Sequence, residues 1–180
     1  MKILRLFTYL IILFFSFSSY CNMLDFLKPY SYTLSPKISG VLEKSGDPYE
    51  NSEIELYVEF GEINYTLYSK SDSSGHFSFD EIIQKRWTKP RGIDNNLMAI
   101  RLATHFNGQE KLLWLSYSGK YDHKSYVLDN LPSLKCDLDS DMFEYGFENE
   151  KKGGAPYRVY GICQLNGFGE KYNRKSNELD

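Results

Sequence analysis

Residues 35–80 read SPKISGVLEKSGDPYENSEIELYVEFGEINYTLYSKSDSSGHFSFD, and this stretch decides the fold. Ile38, Gly40 and Leu42 alternate with Ser39, Val41 and Glu43, the period of two that marks a strand. Lys44-Ser45-Gly46-Asp47-Pro48 follows, and its glycine and proline favour a chain reversal. Ile54, Leu56, Val58 and Phe60 then alternate with Glu53, Glu55, Tyr57 and Glu59. One face is apolar and the other mostly acidic, as in an antiparallel strand with one side in water. Gly61-Glu62 closes a hairpin onto Ile63, Tyr65 and Leu67. Ser71-Asp72-Ser73-Ser74-Gly75 is the next turn, and Phe77 and Phe79 alternate behind it.

The punctuation has a familiar order. Gly40-Val41-Leu42, Gly46-Asp47-Pro48, Ile54-Glu55-Leu56 and then D-x-x-G-x-F-x-F from Asp72 to Phe79 resemble the carboxypeptidase-regulatory-like and transthyretin-like β-sandwich domains. Ser35-Pro36, Leu113-Trp114 and two late cysteines resemble, more narrowly, an uncharacterised bacterial branch of that group. The resemblance spans residues 35–165 and implies an immunoglobulin-like or prealbumin-like sandwich. Such domains are mostly non-catalytic modules, appended to enzymes, transporters and adhesins or standing alone outside the cytoplasm. No catalytic residue transfers, because the shared pattern consists of turn and core residues.

Working outward, Met98, Ile100, Leu102, Thr104 and Phe106 alternate with Leu97, Ala99, Arg101, Ala103 and His105. Asn107-Gly108 is a strong hairpin dipeptide, and it joins them to an apolar strand over 111–118. Extended pieces are expected at Tyr126 to Leu128 and Leu134 to Leu138, and a last strand at Tyr157 to Gln164. The expectation is an all-β, antiparallel sandwich of about seven strands. Residues 140–155 are rich in acids and glycine and offer little core of their own. Residues 22–34 read as a tether or first edge segment, and the polar 166–180 as a flexible tail.

Residues 1–21 read as an export signal. Lys2 and Arg5 precede about a dozen mostly apolar residues, too short for a permanent membrane span. Tyr20 before Cys21 disfavours lipidation of that cysteine, so simple cleavage is the stronger reading. A periplasmic or extracellular location follows. Removing the two bases of this segment takes the formal charge from −3 to −5. That acidity argues against nucleic acid, which is bound by Lys and Arg. Cleavage after Ser18 or after Cys21 is allowed; if it falls after Cys21, Cys136 and Cys163 remain as an even pair, favouring one disulfide in an oxidising compartment over two buried thiols.

Candidate chemistry is sparse. His76, His105 and His123 lack the spacing of a zinc site, and no G-x-S-x-G elbow occurs. Asp137, Asp139 and Asp141 with Glu148 follow the acidic spacing of a calcium loop, yet Met142 occupies the position that needs glycine. A solvent-facing strand end is the stronger reading, and neither metal nor cofactor is expected. Lys85, Arg86, Lys89 and Arg91 surround Trp87, a composition found at interface hot spots or in a solvated loop. The sequence therefore points to a non-catalytic module binding another protein, with oligomeric state open. The alternatives are an extracytoplasmic hydrolase with a loop-built site and a carbohydrate-binding module, the latter because aromatic residues make up 16% of the chain.

Overall fold

The computed structural model describes residues 29–87, 97–119 and 123–174. The chain divides into two compact units. The larger comprises Tyr32–Gln84 and Arg91–Asp180, the smaller Met1–Ser31 and Lys85–Pro90. The architecture is all-β, with fourteen strands in three sheets among the described residues. β1 (Tyr30–Ser35) and β7 (Ile82–Arg86) form a two-stranded sheet. Residues 30–34, within the stretch read as a tether or first edge segment, belong to a strand.

The larger sheet has seven strands in the order β14-β11-β12-β9-β8-β4-β5, antiparallel throughout. These are β4 (Glu53–Phe60), β5 (Ile63–Lys70), β8 (Met98–Phe106), β9 (Gln109–Ser118), β11 (Met142–Phe147), β12 (Tyr157–Gly161) and β14 (Glu170–Arg174). The alternation in β4 and β8 is realised as expected: Ile54, Leu56, Val58, Phe60, Met98, Ile100 and Leu102 are all buried. Asn107 (φ 52°) and Gly108 (φ 75°) make the β8–β9 turn with two positive φ angles, as a type I′ hairpin requires.

The smaller sheet runs β13-β10-β2-β3, with β6 also on β2. Its strands are β2 (Ile38–Lys44), β3 (Asp47–Pro48), β6 (His76–Phe79), β10 (Leu134–Asp137) and β13 (Cys163–Gln164). The turn before β6 is held by Asp72, whose Oδ1 accepts hydrogen bonds from the Ser74 Oγ, the Ser74 N–H and the His76 N–H. Those bonds, the Ser74 hydroxyl foremost, hold its carboxyl below the usual range. Leu42, Ile38, Phe77 and Leu134 from this sheet join Leu56, Val58, Leu102 and Trp114 from the larger one in one hydrophobic core. Two sheets facing across a shared core make a sandwich.

Five features differ from the sequence expectation. The strands number fourteen rather than about seven: the two-residue β3 leaves no periodic trace, and the last strand expected over 157–164 is divided at Ile162 into β12 and β13. β10 pairs with β2 in parallel, not antiparallel, with Leu134 opposite Gly40 and Asp137 opposite Glu43. Residues 126–128 lie in a helix, α1 (Ser125–Asn130), followed by a 3₁₀ turn at Leu131–Ser133. Residues 140–155 contain β11, whose Tyr145 and Phe147 are among the core. Residues 170–174, expected in a flexible tail, form β14 along β11.

Cys136 and Cys163 face one another across β10 and β13 and are joined in a disulfide with a Cα separation of 4.0 Å. That is under the ~4.4–6.8 Å usual for disulfides; the two residues are directly opposed on antiparallel strands, where Cα atoms approach to about 4.5 Å. The bridge closes a span of 27 residues. Reduction, or a Cys136→Ala/Cys163→Ala double change, should lower the stability read by urea unfolding by about 3 kcal/mol. A midpoint unchanged by reductant, or free thiols at both positions in denatured unreduced protein, would contradict this.

Candidate functional site

The outward face of the larger sheet carries the most distinctive chemistry. Strand registers place Thr66, Tyr57, Arg101, Leu115, Tyr160, Glu144 and Tyr172 in one row across all seven strands. These positions share a face because side chains alternate along each strand while facing pairs point the same way. The row is flanked by Tyr68, 61% exposed beside Glu55, and by Tyr117, 47% exposed beside Ala99. On the same face Ala99 stands opposite Tyr117 and Ala103 opposite Leu112.

Charges fix the two ends. At one end Arg101 bridges Glu55 (3.1 Å) and Glu110 (2.5 Å), and the Tyr68 hydroxyl donates to Glu55 at 3.2 Å. Partial burial pulls the Arg101 pKa down, but Glu110 and Glu55 outweigh it and the guanidinium sits above its ordinary value. The bond to Glu55 raises the Tyr68 phenol in turn. At the other end Glu144, buried, holds Arg158 (3.1 Å) and Arg174, while Arg158 also reaches Glu170 at 3.2 Å. Arg158 lies over the Tyr172 ring, 5.9 Å from its centroid. A depression of about 410 Å³ opens here, lined by Glu144, Arg158, Tyr172, Asn173 and Arg174. Every carboxylate of these clusters has a cation beside it, so the face offers rigid tyrosines and oriented guanidiniums.

The residues singled out from sequence fall elsewhere. Trp87 is 70% exposed at the end of β7 in the smaller unit, beside Lys85 and Arg86; Lys89 and Arg91 lie outside the described residues. Asp137 Oδ1 accepts from the Ser45 and Asp139 N–H groups, Asp139 accepts from the Ser45 hydroxyl at 2.5 Å, and Asp141 accepts from Asn173. These oxygens are therefore engaged in holding turns and β14. His76 sits on β6 against Ser39, His105 on β8, and His123 just before α1. Among the described residues no three metal-capable side chains cluster, and no helix is long and apolar enough to cross a membrane.

A smaller recess of about 140 Å³ lies beside α1, lined by Lys124, Tyr126, Asp129, Glu148, Glu150 and Tyr157 among others. Tyr126 stacks against Phe147 (4.8 Å), Tyr157 (5.5 Å) and Trp114 (6.5 Å). Its buried hydroxyl finds no partner among the described residues, and Lys124 closes the recess through a 2.7 Å ion pair with Glu150. This is a packing site for the helix.

A family model described as "Domain of unknown function (DUF6795)" matches residues 38–141, more than half of the chain. The chain belongs to this family. No curated protein and no solved structure matches it. The DUF6795 segment runs from β2 through β10, so it includes Cys136, Tyr57, Arg101 and Leu115. β11 to β14 follow the matched segment and supply Cys163, Glu144, Tyr160 and Tyr172. The outward face is thus built jointly by the DUF6795 strands and by those after them.

Burial, with the Tyr157 phenol adding to it, pushes Tyr126 up to about 12 from 10.0. The unfolded chain ionises this phenol near pH 10, while the folded one keeps its proton. The associated stability is therefore complete below pH 10 and is lost as pH rises toward about 12. Tyr126→Phe should flatten that alkaline decline. At neutral pH it should raise stability by about 1 kcal/mol, since it removes an unpaired buried hydroxyl. Urea midpoints of both proteins across this range check it; equal alkaline slopes would refute the assignment.

Proposed function

We propose that the protein is a non-catalytic, exported binding module and that its partner is another protein, held on the outward face of the larger sheet. The observation that carries this is the seven-residue row from Thr66 to Tyr172, with Tyr68, Tyr117, Arg101 and Arg158 around it. Tyrosine and arginine are enriched at the anchor positions of protein interfaces. Seven strands of five to ten residues, spaced about 4.8 Å apart, give a surface roughly 30 Å across and about 25 Å along the mean strand. That approaches the ~800 Å² per partner of an ordinary specific interface.

Export is supported by the basic and then apolar start of the sequence, Lys2 and Arg5 before residues 6–17, and by the disulfide, a bond of oxidising compartments. The location is the periplasm or the cell exterior. The order of glycine, proline and aromatic turn residues supports kinship with carboxypeptidase-regulatory-like modules, which fits a binding role. A second reading is carried by Trp87, 70% exposed beside Lys85 and Arg86, which would engage a partner from the smaller unit.

A photo-crosslinking residue at Tyr117 should capture one protein from the envelope or culture fluid of the native host. The same residue at Lys135, on the smaller sheet, should not. Tyr160→Ala should weaken capture by at least about tenfold, and Trp87→Ala should leave it unchanged. Equal labelling from both positions, or loss of capture on Trp87→Ala alone, would contradict the assignment of the face. A glycan captured at Tyr117 would replace the protein partner by a carbohydrate.

A further inference from the structure

We infer that β5 is a dimerisation edge at which two copies of this chain pair antiparallel about Thr66, joining their larger sheets into one. This stands independently of the partner proposed above.

β5 ends the seven-strand order, and its strand partner is β4. It is eight residues long, without proline, whereas the opposite edge β14 has five residues, Glu170, Lys171 and Arg174 among them. The outer strands of the smaller sheet are shorter: β3 and β13 have two residues each and β6 has four. An open, regular edge of this length is a template for another strand unless charges, prolines or bulges blunt it. Leu67 and Tyr68 on it are 40% and 61% exposed.

The register can be worked out. Gly61-Glu62 is a two-residue turn that makes Phe60 and Ile63 the first facing pair. In such a hairpin the closing pair is hydrogen-bonded, so 63, 65, 67 and 69 aim their backbone groups at β4. The N–H and C=O groups of Asn64, Thr66, Tyr68 and Lys70 therefore aim at the open edge, and no backbone partner there occurs among the described residues. A two-fold axis normal to the sheet preserves its faces only if facing residue numbers sum to an even value.

Centring the axis on Thr66 satisfies this and uses the whole strand. Thr66 meets Thr66 and Asn64 meets Tyr68, all with outward backbone groups that can exchange hydrogen bonds. Tyr65 meets Leu67 on the core side, an aromatic–aliphatic pair. Glu62 meets Lys70 at both ends. Threonine pairs, aromatic pairs and opposite charges are the cross-strand combinations that stabilise sheets. Neither Glu62 nor Lys70 has an ion-pair partner within 4 Å among the described residues. Shifting the axis to Leu67 would instead bring Glu62 toward Asp72. The charges thus select the Thr66 register.

Sedimentation equilibrium of the purified protein, freed of its export segment, should give twice the mass of one chain. Glu62→Lys and Lys70→Glu should each weaken the dimer about tenfold, since each change places like charges together at both ends. The combined variant should restore parental affinity. Thr66→Lys, which sets two ammonium groups face to face, should give a monomer with an unchanged circular dichroism spectrum. A parent that stays at the mass of one chain up to its solubility limit would overturn the inference. So would a dimer indifferent to these changes, or a combined variant no tighter than the single ones.

Discussion

The larger sheet extends beyond β9 because residue 161 has no side chain. β9 carries a bulge where Leu102 faces Trp114 but Ala103 faces Leu112, leaving Leu113 as the extra residue. Leu113 and Trp114 are in consequence both buried, although they are consecutive. β12 runs directly over this irregularity. A Cβ at Gly161 would lie 2.1 Å from the Leu113 carbonyl oxygen, and the next residue, Ile162, donates its N–H to Leu112 at 3.0 Å. Only glycine permits that approach. Everything after β12 in the sheet, β11 and β14, hangs on this junction, and so do Glu144, Tyr160 and Tyr172 of the outward face. Two residues further, Cys163 must reach Cys136. The junction thus also sets the position from which the disulfide closes the smaller sheet.

The strands with a wet and a dry side were legible. β4 shows four apolar residues against three acids and a tyrosine, and β8 and β9 are joined by Asn107-Gly108, so type and partner could both be read. The cysteine pair was legible because both residues lay on apolar sides of short extended pieces. β11 was not, because Glu144 and Gly146 interrupt it. Glu144 is buried only by virtue of Arg158 and Arg174, which lie 14 and 30 residues away in sequence. β14 has almost no buried side chain. It is held by backbone pairing to β11, by Arg174 on Glu144, and by Lys171 lying 3.7 Å from the Phe143 ring centroid. Nothing in a polar five-residue stretch reports such partners. α1 was hidden for a related reason: six residues are too few for a helical period to show.

The outward face could not be found from sequence at all. Alternation says that Tyr57 and Arg101 point away from the core, but it takes the register of six strand pairs to put Tyr57, Leu115, Tyr160 and Tyr172 in one row. The features that did stand out in the sequence are locally explained. The Asp137–Asp139 run is bonded to the Ser45 turn, and the histidines are dispersed. What distinguishes this domain physically is a stiff sheet whose outward side is polar at its ends, aromatic in its middle, and open along β5. Such a sheet offers more than one surface on which a partner can be held.

The most direct test of this account is the Gly161 junction. Gly161→Ala adds one methyl group facing a backbone carbonyl that side-chain motion cannot relieve, so urea unfolding should show a loss of about 3 kcal/mol or more. Gly119→Ala, where an added Cβ meets nothing within 4 Å, provides the control and should stay within about 0.5 kcal/mol of the parent. A Gly161→Ala protein as stable as the Gly119→Ala one would contradict the close approach of β12 to the bulge, and with it the assembly of the seven-stranded face.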